Sequence, residues 1–239
     1  MPSLADCCAK EYNAHFGWAD GEEQEGIGRM NKTGIEWCDY TWNPIVGCSP
    51  ASTGCANCYA AAISRRFGLP WGEAHFMPER LSQPAKVKKP SRVFVCSMAD
   101  LGHETVKPEW RGAIYSAMAC APQHTYIVLT KRPGAWLVGL PRDTWAGVSV
   151  EDGTQYERVD ELVHWHVGTT IVSVEPMLGP VTLRGLAGPI SWVIAGPETG
   201  PKARRCDDAW IDALSSESPC FFDKRERWTR REFPTGGAK

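Results

Sequence analysis

From residue 90 onward, short runs rich in β-branched and aromatic residues alternate with longer stretches whose apolar positions recur at helical spacing. The short runs are RVFVCSM (92–98), TYIVLTK (125–131), WAGVSV (145–150), TTIVSVE (169–175), SWVIAG (191–196) and PCFFDK (219–224), with an earlier one in TWNPIVGC (41–48). Each reads as a strand, because runs of four to eight such residues bounded by turn-forming ones suit a pleated, buried surface. KPEWRGAIYSAMACA (107–121) and QYERVDELVHWHV (155–167) read as helices, DDAWIDALSSES (207–218) as a third capped by Asp207, and a fourth covers about 57–67. Strands alternating with helices predict an α/β fold with a parallel sheet, and seven strands of this kind suggest a partial or near-complete (β/α) barrel.

In parallel α/β proteins the chemistry gathers where the strands end. Here those ends are polar: Gly47-Cys48, Ser97 to Asp100, Thr130-Lys131-Arg132, Ser149 to Asp152, Ser173 to Pro176, Gly196 to Thr199 and Asp223-Lys224-Arg225. A single polar end is an ordinary loop. Seven together, with Glu151, Glu175 and Glu198 after three of them, predict one shared mouth.

Composition narrows this picture. A chain of 239 residues with 43% hydrophobic content and no long charge blocks fits one globular domain, placed at residues 31–239. Residues 1–30 carry six acids (Asp6, Glu11, Asp20, Glu22, Glu23, Glu25) against Lys10 and Arg29, and read as a disordered acidic leader. No window holds eighteen uninterrupted apolar residues, and the start MPSLADCCAKEYNAHF lacks the basic and apolar regions of a signal peptide. A cytoplasmic protein without a membrane partner is expected.

Ten cysteines in such a compartment point to metal ligands or free thiols before disulfides. Three of them, Cys48, Cys55 and Cys58, fall within GCSPASTGCANCYA (47–60), whereas Cys96, Cys120 and Cys220 sit in apolar surroundings and read as small core residues. Zinc normally takes four ligands, so a zinc site would need Cys38, Cys96 or His103 brought near by folding. Three thiolates on one loop also suit a four-iron cluster whose fourth iron stays open. Thiolates are soft ligands for both, and a purely structural or redox thiol group is the third alternative.

The segments KTGIEWCDYTWNPIVGCSPASTGCANCYA, FVCSMADLGHETV, APQHTYIVLTKRP, WAGVSVED, IVSVEPMLGPV and WVIAGPETGPKAR resemble, in one order over about residues 32–225, the phage-associated family of three-cysteine proteins of unassigned function that are regarded as radical S-adenosylmethionine (SAM)-like. The radical SAM pattern is usually C-x3-C-x2-C with an aromatic residue before the last cysteine. Here it is C-x6-C-x2-C with Asn57 in the aromatic place, and Tyr59 follows instead.

The resemblance implies a radical SAM-like fold and a 4Fe-4S cluster on Cys48, Cys55 and Cys58. An open iron would chelate SAM, and a reduced cluster would generate a 5′-deoxyadenosyl radical. Ser97, Asp100, Ser149, Glu151 and Glu175 would then accept from the SAM ammonium and ribose, with a cap or a salt bridge as the ordinary alternative for each. Thr130, Lys131 and Arg132 would meet the SAM carboxylate or an anionic substrate, Tyr59 would cover the cofactor, and Glu198 lies in IAGPETG, which matches the segment that approaches adenine. Implied partners are SAM, a one-electron donor such as flavodoxin or ferredoxin, and nucleic acid, in the host cytoplasm if the protein is phage-encoded.

The basic stretches ISRRFG (63–68), AKVKKPSR (85–92), PKARR (201–205) and DKRERWTRRE (223–232), with Trp71, Phe76 and Trp228 near them in sequence, fit either a nucleic-acid groove or a solvated charged surface. No P-loop, G-x-S-x-G or H-E-x-x-H is present. Two functions remain in view. One is an iron–sulfur, SAM-dependent radical enzyme acting on a nucleotide, nucleic acid or related phage metabolite. The other is a non-catalytic, zinc-stabilised module that binds nucleic acid or protein.

Overall fold

The computed structural model describes residues 28–186, 188–225 and 230–235. The leader expected over residues 1–30 lies outside the described residues except for its last three, of which Met30 is buried.

Among the described residues, ten strands form two sheets. The main sheet contains β1 (Asn31–Lys32), β2 (Tyr40–Trp42), β5 (Arg92–Val95), β6 (Thr125–Thr130), β7 (Trp145–Ser149), β8 (Thr170–Val174), β9 (Trp192–Ala195) and β10 (Phe221–Asp223), in that spatial order. β1 is antiparallel to β2, and every later pairing is parallel. β3 (Ile45–Val46) and β4 (His75–Phe76) make a separate antiparallel pair. Helices α1 (Tyr59–Phe67), α2 (Pro108–Ala119), α3 (Tyr156–Trp165) and α4 (Asp208–Glu217) occupy crossovers between parallel strands.

The parallel strands lie side by side in chain order, without the reversal of a doubly wound sheet. Crossovers of one hand then bring the helices to one face. The two cores show this separation. One contains Val93, Val95, Val128, Val148, Val172, Val174 and Val193 together with Ile114 and Met118 of α2, Val159 and Leu162 of α3, and Ile211 and Leu214 of α4. The other takes the alternate strand positions, Phe94, Ile127, Trp145, Ile171, Trp192, Ile194 and Phe222, and is covered by Trp37, Cys38 and Phe233 with no helix residue. Burial on both faces explains why these strands read as nearly continuous apolar runs. β1 and β10 are the outermost strands in this order, residues 230–232 run antiparallel along the outer side of β10, and no pairing among the described residues joins β1 to β10.

All seven expected strands are members of the parallel set, and the four expected helices agree with the observed ones to within two residues. The structure corrects three details. TWNPIVGC is not one strand: Pro44 cannot donate to a ladder, so β2 stops at Trp42 and Ile45–Val46 pairs elsewhere, with β4. RVFVCSM ends at Val95, because Cys96 takes a left-handed conformation with φ of 59°. Cys96 is a core residue as expected, but Cys120 and Cys220 are only half-buried. Among the described residues, no helix is long and apolar enough to cross a membrane.

Candidate functional site

The three clustered cysteines lie on the loop between β3 and α1, at the C-terminal ends of the parallel strands. Gly47 begins the loop with φ of 89°, and a Cβ there would strike the Glu73 backbone carbonyl, so the turn requires glycine. Gly47 N–H donates to the Met98 carbonyl at 3.1 Å, joining the loop to the chain after β5. A single 3-10 turn follows at Thr53–Cys55, and Cys58 precedes the first turn of α1.

Four strand ends hold this loop. After β5, the Ser97 carbonyl accepts from the Tyr59 hydroxyl at 2.6 Å. After β6, Arg132 Nη2 donates to the carbonyl of Ser49 at 3.0 Å and to its hydroxyl at 3.1 Å, while Nη1 lies 3.9 Å from Cys48 Sγ. After β7, Glu151 Oε1 accepts from Ser52 Oγ at 2.7 Å, and Gly54 packs so closely on the Glu151 side chain that a Cβ would collide with it. After β9, Glu198 Oε2 accepts from Asn57 Nδ2 at 3.0 Å, and its partner Arg204 donates through Nη1 to the Thr53 carbonyl at 3.0 Å. The cysteine loop therefore lies across the strand ends, fastened by groups from four of them.

The polar residues expected to meet SAM are largely engaged with this chain's own groups. Asp100 is buried and accepts from Thr130 Oγ1 at 2.5 Å, Gly102 N at 2.9 Å and Lys131 N at 3.0 Å. Glu151 is fully buried and binds Lys131 Nζ, Arg158 Nη1 at 3.1 Å and Ser52. Glu175 pairs with Lys224. Ser97 Oγ donates to Asn43 Oδ1 at 3.1 Å. Side-chain and backbone donors of Arg204, with Asn57, hold the Glu198 carboxyl down to about 2. The Ser149 hydroxyl makes no hydrogen bond among the described residues, which leaves it open at the rim.

Electrostatics differ among the thiols. Burial, reinforced by Asp100 and opposed by Arg132, pushes the Cys48 thiol up to about 11. Cys55 Sγ accepts from Ala51 N–H at 3.4 Å, and all three cysteines are half-buried. Among the described residues, no group of three or more His, Cys, Asp or Glu side chains is gathered as ligands for a metal ion. In donor type the three thiols suit an iron–sulfur cluster or zinc. Of the other zinc-ligand candidates, His103 bonds the loop itself through Ser49, and the two cysteines lie away from it. His103 Nδ1 accepts from Thr105 N–H at 3.2 Å, so Nε2 carries the proton and donates to Ser49 Oγ at 2.8 Å, while Cys38 and Cys96 are buried in different cores.

Sequence reasoning missed Ser49, Ser52 and Asn57 as loop anchors and Arg158 and Arg204 as partners of the rim acids. PKARR contained Arg204, but its task emerges only when Glu198 lies beside it. The DKRERWTRRE stretch is likewise taken up internally where it is described: Arg225 binds Asp223 and Asp212, Arg230 binds Glu232, and Arg231 binds Glu36.

A helix-backed, mostly parallel α/β sheet carrying a three-cysteine loop over its strand ends is the class of protein this architecture defines. Residues 32–233 match the family described as "Protein of unknown function (DUF5131)", and the chain belongs to that family. No curated protein and no solved structure matches it.

Proposed function

We propose that this protein is an iron–sulfur enzyme of the radical SAM type, built on a partial (β/α) barrel and acting on a nucleotide or nucleic acid. The observation that carries this reading is the three-thiol loop fastened over the C-terminal strand ends by Arg132, Glu151 and Glu198. Cys48, Cys55 and Cys58 would hold a 4Fe-4S cluster there, and such a cluster supplies one-electron reduction of the SAM sulfonium. The chain's own residues set the surroundings: Arg132 places a guanidinium beside Cys48, and the ion pairs of Glu151 keep the loop seated. Ser149 and the Lys224–Glu175 pair offer polar contacts to the cofactor at the rim. A one-electron donor of the flavodoxin or ferredoxin kind, and a cytoplasmic setting, follow from this reading.

Anaerobic reconstitution with iron and sulfide tests it. A brown protein with about four irons per chain and a broad charge-transfer band is expected. A colourless protein that takes up one zinc overturns it.

One observation favours the second reading, a zinc-stabilised binding module. Asp100, Glu151 and Glu198 are satisfied by internal partners, as residues serving the fold would be. Adding SAM to the reconstituted protein separates the two, because a module without a cofactor site shows no SAM-induced rise in melting temperature.

A further inference from the structure

We propose that a polar cleft at the β1 edge of the sheet is the subsite for one nucleotide unit of a single-stranded nucleic acid. The inference takes its substrate class from the function proposed above, but the cleft is built without any residue of the cysteine loop. It has a volume of about 330 Å³ and is lined by Arg29, Asn31, Thr41, Asn43, Arg80 and Gln83, with Glu79 and Gly28 completing it. That size lies at the lower end of small-ligand pockets, which start at roughly 300 Å³.

Topology brings the cleft to the site. β1 runs antiparallel to β2 with Asn31 opposite Thr41, so residues 28–30 return toward the C-terminal end of β2, where the cysteine loop also lies. Asn43 Oδ1 accepts from Ser97 Oγ at 3.1 Å and Met98 N at 3.0 Å, while its amide N–H₂ donates to no group among the described residues. Arg80 gives Nη1 to the Asn43 carbonyl at 3.0 Å and holds Nε 3.8 Å from Glu79. The side chains of Arg29, Asn31 and Gln83 make no hydrogen bond among the described residues.

Three carboxamides, a hydroxyl and two guanidiniums thus converge with capacity to spare. Carboxamides present the paired donor and acceptor that match a base edge, and guanidiniums match a phosphate. Among the described residues no apolar side chain lines the cleft, which disfavours a peptide or a lipid chain. A strand is favoured over a free nucleotide by what lies beyond Ser97. Tyr59 is 50% exposed with its hydroxyl fixed to the Ser97 carbonyl, and Arg65, Arg66 and Phe67 continue along α1, with Phe67 64% exposed. An exposed ring next to cations is how bases are stacked without sequence preference.

The test is fluorescence anisotropy of the full chain with a labelled single-stranded oligothymidylate of about ten nucleotides. Saturable binding is expected, and the Arg29→Ala/Gln83→Ala double variant should bind at least about tenfold more weakly. Its slope of log affinity against log salt should be shallower by about 0.7, the signature of one lost phosphate contact on a single strand. Melting temperature should not change, because neither side chain makes a hydrogen bond among the described residues. The Cys48→Ala/Cys55→Ala/Cys58→Ala variant should bind as wild type does, so a failed cluster reconstitution would leave the cleft standing. Absent binding, equal binding by the double variant, or binding lost with the cysteines overturns the proposal. Thymidine monophosphate competing as strongly as the oligonucleotide would assign a free nucleotide and overturn the strand.

Discussion

Glu151 has no exposed surface, yet it carries a charge balanced by Lys131 and Arg158 while it also grips Ser52. A buried ion pair gives little net stability, but removing one partner strands the others in a medium that solvates them poorly. Glu151→Gln should therefore lower unfolding free energy by about 3–5 kcal/mol in urea titrations. If it melts much lower but keeps its SAM-induced shift, the residue serves the fold alone. Glu198 makes a pH prediction. Its carboxyl is held at about 2 when folded against 4.5 as the reference value, so the unfolded chain binds the proton more readily in that window. The stabilisation is fully present above pH about 4.5 and fades as pH falls towards 2. The melting-temperature difference between wild type and Glu198→Gln should shrink over that interval; a difference that stays constant would contradict the assignment.

At the scale of elements, α4 illustrates how a helix start follows from local chemistry. Asp207 has an extended backbone, and its side chain accepts from Ala209 N–H at 3.0 Å, as the cap reading requires. Asp207→Ala should destabilise by about 1 kcal/mol, whereas Asp207→Ser should be nearly neutral, which chemical denaturation can resolve. α1 is a different case. Only Ala60 and Ser64 are buried, while Tyr59, Ile63 and Phe67, spaced four residues apart, remain exposed on a helix that begins at the cysteine loop. An apolar row at helical spacing ordinarily marks a core face, and here it faces outward at the mouth.

Across the whole molecule, the in-order parallel sheet makes one rim out of loops far apart in sequence. This geometry predicts which cysteines respond to iron. Cys48→Ala, Cys55→Ala and Cys58→Ala should each lose the reconstituted cluster, whereas Cys38→Ala and Cys206→Ala should retain it, measured as iron per chain. Cys38 is buried on the face away from the helices, and Cys206 stands just before α4 with its Sγ 3.8 Å from the Asp207 carbonyl. Full iron content in Cys48→Ala would remove that residue from the ligand set and bring the zinc reading forward.

The order and type of the elements, the parallel sheet and the gathering of polar strand ends were legible from the sequence, because burial on both faces leaves a nearly continuous apolar run and each helix keeps its own period. The cysteine cluster was legible because its members are neighbours in the chain. The interruption at Pro44 and the early end of β5 at Cys96 depended on backbone geometry, and the edge strand β1 is too short to leave a pattern. The partnerships of the rim were not legible either. Glu151 meets Ser52 across 99 positions and Arg204 meets Thr53 across 151, and such pairings are set by which strand ends stand side by side. The sequence determined which groups reach the mouth; only the tertiary structure decided that Glu151 and Glu198 hold the cysteine loop, because a buried carboxylate binds whichever donors the fold brings within reach.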